Sequence, residues 1–146
     1  STVELEARYT IRLERYIKEI DIEAKTLLDM VQTKVIPAAL RYQNSIASSC
    51  LRIKDLLGDG APLDAQKQLC ETIAVLSNDI IKEANKLARL IEKATAIHDE
   101  IEQAKLYAYD VKLQMEALRS KVDLIETVAS DNLWPFPRLW EMLFIS

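Results

Sequence analysis

From Leu69 to Ile125 apolar residues return at intervals of four and three almost without interruption: Ile73, Leu76, Ile80, Leu87, Leu90, Ala94, Ile97, Ile101, Ala104, Ala108, Val111, Met115, Leu118 and Val122. This spacing lays one apolar stripe along an α-helix, whereas a strand, whose side chains alternate, would scatter it over both faces. The one lapse is Glu83, beside Ala84. Read as a single helix, the stretch would run for roughly 60 residues and about 90 Å, too long for a compact domain of this size. A break is therefore expected near Thr95 to Glu100. There β-branched Thr95 precedes the polar His98-Asp99-Glu100, with neither Gly nor Pro to mark the place.

The N-terminal part carries the same signal. Leu5, Tyr9, Leu13, Tyr16, Ile20, Ala24, Leu27, Val31 and Val35 form one helical face, with Glu4 to Arg8 and Glu14 to Lys18 at ion-pair spacing beside it. Pro37 interrupts this run. It removes one backbone donor and crowds the preceding turn, and because apolar spacing continues through Leu40, Ile46, Cys50, Ile53 and Leu57, a kink is expected rather than a break. Gly58-Asp59-Gly60-Ala61-Pro62 is a turn, its glycines free to take positive φ and Pro62 suited to open the next helix. With only 2 Gly and 4 Pro in 146 residues, the chain lacks the punctuation that a sandwich, barrel or doubly wound sheet requires.

Charge excludes several classes of function. The 19 basic and 23 acidic residues are interspersed, with a net charge of -4, so no stripe exists that could neutralise the phosphates of a nucleic acid. No window approaches the ~18 consecutive apolar residues of a membrane span. The N-terminus lacks the order of a signal peptide, so a cytoplasmic location is expected. Ser1 opens directly into helical pattern, which reads as a piece excised from something longer.

Candidate chemistry is sparse. Cys50 and Cys70 stand equally far from the turn, and a hairpin would bring them level, either as two reduced, buried thiols or in a disulfide or redox role. His98 is the only histidine. A bundle di-metal site needs Glu three residues before His, and Thr95 stands there instead. Tyr9, Tyr16, Tyr42, Tyr107 and Tyr109 lie mostly on or beside the apolar stripes, where an aromatic ring with its hydroxyl at the rim is the common outcome. Arg119 and Asp123, one turn apart, are spaced for an ion pair. The only two glycines share one short turn, so no phosphate-cradling loop is present, and any Ser/His/acid triad would rest on His98 alone.

Helix is expected to end near Asp131-Asn132, and a different kind of segment comes after it. Trp134, Pro135, Phe136, Pro137, Leu139, Trp140, Met142, Leu143 and Phe144 crowd into a dozen residues, too apolar for a solvated terminus. Proline-fixed extended chain bearing aromatics is suited to lie in a groove, on its own bundle or on another domain or subunit.

Two clusters of residues carry a family resemblance. Ile22-Glu23-Ala24, Thr26-Leu27, Met30, Ile36-Pro37-Ala38 and Tyr42 resemble the helical segment that follows the catalytic domain of type III glutamine synthetases. Met115, Leu118-Arg119, Val122-Asp123, Glu126 and Val128, leading into Trp134-Pro135-Phe136-Pro137 and a final Leu143-Phe144, are similar to the C-terminal signature of the same family. Leu139 with Trp140 beside it departs from the family pattern, which has an aromatic after the second proline. The resemblance implies a parent enzyme that joins ammonia to glutamate through an ATP-derived γ-glutamyl phosphate, with ATP and Mg held by an upstream catalytic domain. It places no catalytic, cofactor-binding or metal residue on this segment. It also implies a homo-oligomer of stacked rings.

The expected architecture is an all-α antiparallel bundle of three main helices in one domain over 1–146. A long helix over about 2–57, kinked near Pro37, is followed by a turn at 58–62, a second helix over about 63–97, a third over about 101–131, and an extended aromatic tail over 132–146. The expected function is non-catalytic, structural or oligomerising. The interface is expected at Trp134, Pro135, Phe136, Pro137, Leu139, Trp140, Leu143 and Phe144, facing the chain's own catalytic domain and neighbouring subunits. The Val3 to Val31 face should need a partner as well. The competing reading is a free-standing helical adaptor or scaffold that binds partner helices through the same exposed stripe.

Overall fold

The computed structural model describes residues 1–129. All regular structure among them is helical: α1 (Thr2–Met30), a π-helical segment (Val31–Val35), α2 (Ile36–Leu57), α3 (Asp64–Thr95), α4 (Glu100–Lys105), a second π-helical segment (Leu106–Val111) and α5 (Lys112–Glu126). These form three helical stretches, an all-α arrangement.

Local chemistry accounts for the ends. At Val35 the backbone remains right-handed helical, with φ -70 and ψ -51, so the chain passes Pro37 without breaking. The helix widens just before it, over Val31–Val35. Pro37 cannot donate to the carbonyl four residues back and its ring crowds that carbonyl; the wider turn relieves both. At the other end of α2, Gly58 has φ 80 and ψ -168, a conformation open essentially to glycine, and its N–H closes on the Lys54 carbonyl at 2.7 Å. Helix α3 ends where Thr95 turns its hydroxyl back onto the Ile91 carbonyl at 2.6 Å. Beyond the break Asp99, in extended conformation, accepts a hydrogen bond from the Glu102 N–H at 3.2 Å and caps α4.

The last helix stops earlier than the expected Asp131-Asn132. Regular helix closes at Glu126, and Thr127 and Val128 donate to carbonyls only three residues back. The Thr127 hydroxyl also bonds the Leu124 carbonyl at 2.7 Å, so the final turn is tightened and satisfied locally.

The chain packs as two compact units. One comprises Ser1–Met30 with Glu83–Arg119. In it α3 runs antiparallel to α4 and the start of α5, because the Gln103 side chain donates to the Ala94 carbonyl and the Gln114 side chain to the Glu83 carbonyl, each at 3.0 Å. Helix α1 lies against the second π segment, with Asp21 opposite Tyr107. The core of this unit is Ile20, Ala24, Ala84, Leu87, Ile91, Ala94, Ala104, Tyr107, Val111, Met115 and Leu118. Ile101, read as part of the stripe, is 48% exposed, because the break at 96–99 resets the phase of the helix.

The other unit comprises Val31–Lys82 and the chain from Ser120 onward. Val31, Val35, Ala38, Ala39, Leu63, Ile73, Ile80, Ile125 and Ala129 are buried in it, and Lys121 reaches Asp79 at 3.4 Å between antiparallel α3 and α5. Alanine recurs in both cores, which lets helix axes approach closely. Ser77 is buried in this unit, and its hydroxyl has no hydrogen-bond partner among the described residues.

Candidate functional site

The most developed polar constellation lies in the first unit, where α1 meets the second π segment. Tyr107 is 2% exposed and donates its hydroxyl to Asp21 Oδ1 at 2.7 Å; Lys25, one turn along α1, holds the other Asp21 oxygen at 2.8 Å. Burial first, and then the Asp21 hydrogen bond, push the Tyr107 phenol up to about 12. It is therefore neutral and donating at physiological pH. Beside it a recess of about 270 Å³ is lined by Glu14, Ile17, Asp21, Glu100, Gln103 and Tyr107, among others. Glu100 is raised from its ordinary 4.5 chiefly because it shares a hydrogen bond with the Glu14 carboxyl, with the like charges of Glu14 and Asp99 adding to the effect.

Chemically this arrangement fixes register. The buried phenolic hydrogen is committed to Asp21, and Asp21 is itself neutralised by Lys25. On the facing helices Gln114 donates both to the Glu83 carbonyl and to the Glu83 carboxylate, which Lys86 also approaches at 3.6 Å. Among the described residues, no three of His, Cys, Asp or Glu converge so as to hold a metal ion. On α2 a shallow depression of about 580 Å³ is bordered by Arg41, Asn44, Ser45, Ser48, Ser49 and Arg52, all on one helix face.

The residues singled out from the sequence are dispersed. Cys50 and Cys70 are free thiols, both half-buried. His98 is exposed in the break after α3. Of the tyrosines, Tyr107 alone is buried; Tyr16 and Tyr42 are half-buried, and Tyr9 and Tyr109 are exposed. Arg119 and Asp123 are both exposed, and neither makes an ion pair among the described residues; Glu14 meets Glu100 rather than Lys18. Trp134, Pro135, Phe136, Pro137, Leu139, Trp140, Leu143 and Phe144 lie outside the described residues. The Asp21–Tyr107 latch has no signal in the sequence, since nothing in the spacing of residues 86 positions apart announces it. The Asp99 cap had a local signal: Asp99 followed three residues later by Glu102 is a capping-box pattern.

Fold and site together define an all-helical domain knit by polar latches. The glutamine synthetase C-terminal domain family matches residues 1–54. Similarity to individual proteins runs further. The type-3 glutamine synthetase of Dictyostelium discoideum is 35% identical over 150 residues, covering 99% of this chain and 20% of the relative. Glutamine synthetases of Bacteroides fragilis (strain YCH46) and Butyrivibrio fibrisolvens are 26% and 28% identical, each over 97% of this chain and 20% of the relative. The chain thus spans about one fifth of the length of the curated relatives it matches. It is similar to the C-terminal domain of glutamine synthetases, and what it aligns with in these relatives is their C-terminal fifth.

Proposed function

We propose that this chain is the non-catalytic structural domain of a glutamine synthetase, bracing a larger polypeptide and joining subunits of a homo-oligomer. In this reading ATP, Mg and the glutamate–ammonia ligase chemistry belong to a catalytic domain elsewhere in that polypeptide, and the assembly works in the cytoplasm. No helix among the described residues is long and apolar enough to cross a membrane.

The observation that carries the proposal is the start of α1. Every residue from 1 to 12 is exposed, including Val3 at 75%, Leu5 at 67%, Tyr9 at 58% and Ile11 at 56%. Three helical turns with no packed face gain nothing from burial, and a helix of that length is marginal in water. Four large apolar side chains on them form a surface made to be covered. What supports a partner for this surface is the length of the relatives, about five times that of this chain, which leaves room for a further domain to cover it.

The test is the double substitution Leu5→Lys with Tyr9→Lys in the full-length polypeptide. Both residues are exposed here, so the helicity of the 146-residue chain should be unchanged while the intact protein shifts to smaller species by light scattering, with loss of ligase activity. An unchanged assembly and activity would sink the proposal.

A further inference from the structure

We infer that the aromatic tail beginning Leu133-Trp134-Pro135-Phe136 seats in an apolar groove between α3 and the end of α5. This seat belongs to the second packing unit alone and does not depend on the assembly role.

The groove is an open depression of about 430 Å³, walled by Thr72, Val75 and Leu76 on one side and Leu124 and Val128 on the other, with Glu71 at its rim. That volume lies within the ~300–1,000 Å³ range of cavities that hold organic ligands. Its walls are unusual. Val75 is 53% and Leu124 48% exposed, two large apolar side chains facing one depression from two neighbouring helices.

Position selects the occupant. Val128, which forms part of the wall, is followed by one further described residue, and the backbone has already left regular helix at Glu126. Trp134 is six residue steps beyond Val128, a reach of up to about 20 Å at ~3.3–3.6 Å per residue. The groove extends along α5 for little more than the one turn from Leu124 to Val128, so Trp134 can return over all of it. A ring system tethered this closely has a local concentration of order millimolar, which a free partner of equal affinity would have to exceed.

Chemistry agrees with position. Proline at 135 and 137 restricts φ in the unbound chain, so less freedom is lost on binding than for other residues. An indole needs an apolar slot for its rings and an acceptor for its N–H. Val75, Leu76 and Leu124 provide the slot. The Glu71 carboxylate and the Thr72 hydroxyl, whose own proton is given to the Gln68 carbonyl at 3.0 Å, provide acceptors.

The chain carries its own reporter, because both of its tryptophans, Trp134 and Trp140, lie in the tail. In the 146-residue chain with Trp140→Phe, Trp134 emission should be blue-shifted from that of free indole and poorly quenched by acrylamide. Val75→Lys and Leu124→Lys, both at exposed positions, should each shift emission to the red and raise the quenching constant several-fold with far-UV circular dichroism unchanged. Leu113→Lys, at a 63% exposed position of α5 in the other unit, should do neither. If a lysine variant loses helicity, the gentler pair Val75→Ala with Leu124→Ala should show the same red shift to a smaller degree. A Trp134 already open to quencher in the parent chain, or one indifferent to Val75 and Leu124, overturns the inference. So does a blue shift that disappears on dilution, which would mean that a second copy covers the ring.

Discussion

The two π-helical segments make an instructive pair. Val31–Val35 stands immediately before Pro37, so its widened turn has a cause within the same stretch of chain. Leu106–Val111 has no proline or glycine in or near it. Its cause is distant: Tyr107 is buried and hydrogen-bonded to Asp21, and the buried positions run Ala104, Tyr107, Val111, Met115, where the stripe read from the sequence has Ala108 in place of Tyr107. A helix can thus be widened by a residue it cannot accommodate or by a contact it must reach. Only the first kind can be seen in the local sequence.

Breaking the second segment should have the largest effect. Tyr107→Ala removes a fully packed ring and the latch on Asp21, and should cost about 3–5 kcal/mol in urea unfolding, with the amide resonances of 106–111 returning towards ordinary α-helix. A cost below ~1 kcal/mol would show that the segment is not built around that side chain.

Tyr107→Phe keeps the ring and removes only the hydrogen bond, for an expected loss of about 1.5 kcal/mol. This variant also isolates a pH dependence. The phenol is raised from 10.0 to about 12 in the folded chain, so its contribution is complete below pH 10 and is lost as pH rises from 10 towards 12. Alkaline titration of stability should show that decline in the parent chain and a shallower one in the Phe variant.

Pro37→Ala addresses the first segment. Returning the N–H and removing the ring should let 31–35 relax to α-helix with a stability change under ~1 kcal/mol, because the gain in hydrogen bonding is offset by a freer unfolded chain. Backbone amide shifts provide the readout. If the segment stays widened without the proline, both segments have tertiary causes and the contrast between them collapses.

The smallest effect is expected at Glu100. Its raised pKa means that the folded chain holds this proton more tightly than the unfolded one, a contribution present below 4.5 and lost as pH rises past it. Glu100→Gln should therefore raise the melting temperature slightly at neutral pH and leave it unchanged in acid.

Much of the helical content was legible in the sequence, because periodicity is a property of the chain alone. The 4-3 spacing marks helix from Leu69 onward, and two glycines and a proline mark the turn at 58–62. The phase of the stripe was less legible. In α3 the buried series is Ile73, Ser77, Ile80, Ala84, Leu87, Ile91, Ala94, so Ser77 and Ala84 occupy core positions that the stripe read from the sequence lacks, while Leu76 and Leu90 flank the series. A reading that ranks residues by hydrophobicity passes over both. The exposure of Leu5 and Tyr9 agrees with the expectation that the Val3 to Val31 face lacks a partner, but that cover returns at Ile20, Ala24 and Val31 could not be read from a stripe that runs unchanged through all of them.

By itself, then, the sequence determined that this chain is helical and where it must turn, because these follow from residue types and short-range spacing. Tertiary structure alone decided which side of each stripe faces inward, that Tyr107 rather than Ala108 fills the core, and that Asp21 holds it across 86 residues. The physical reason is one of range. Backbone dihedrals and caps are set by neighbours within a turn, whereas burial and hydrogen-bond partners are set by whichever helix arrives alongside.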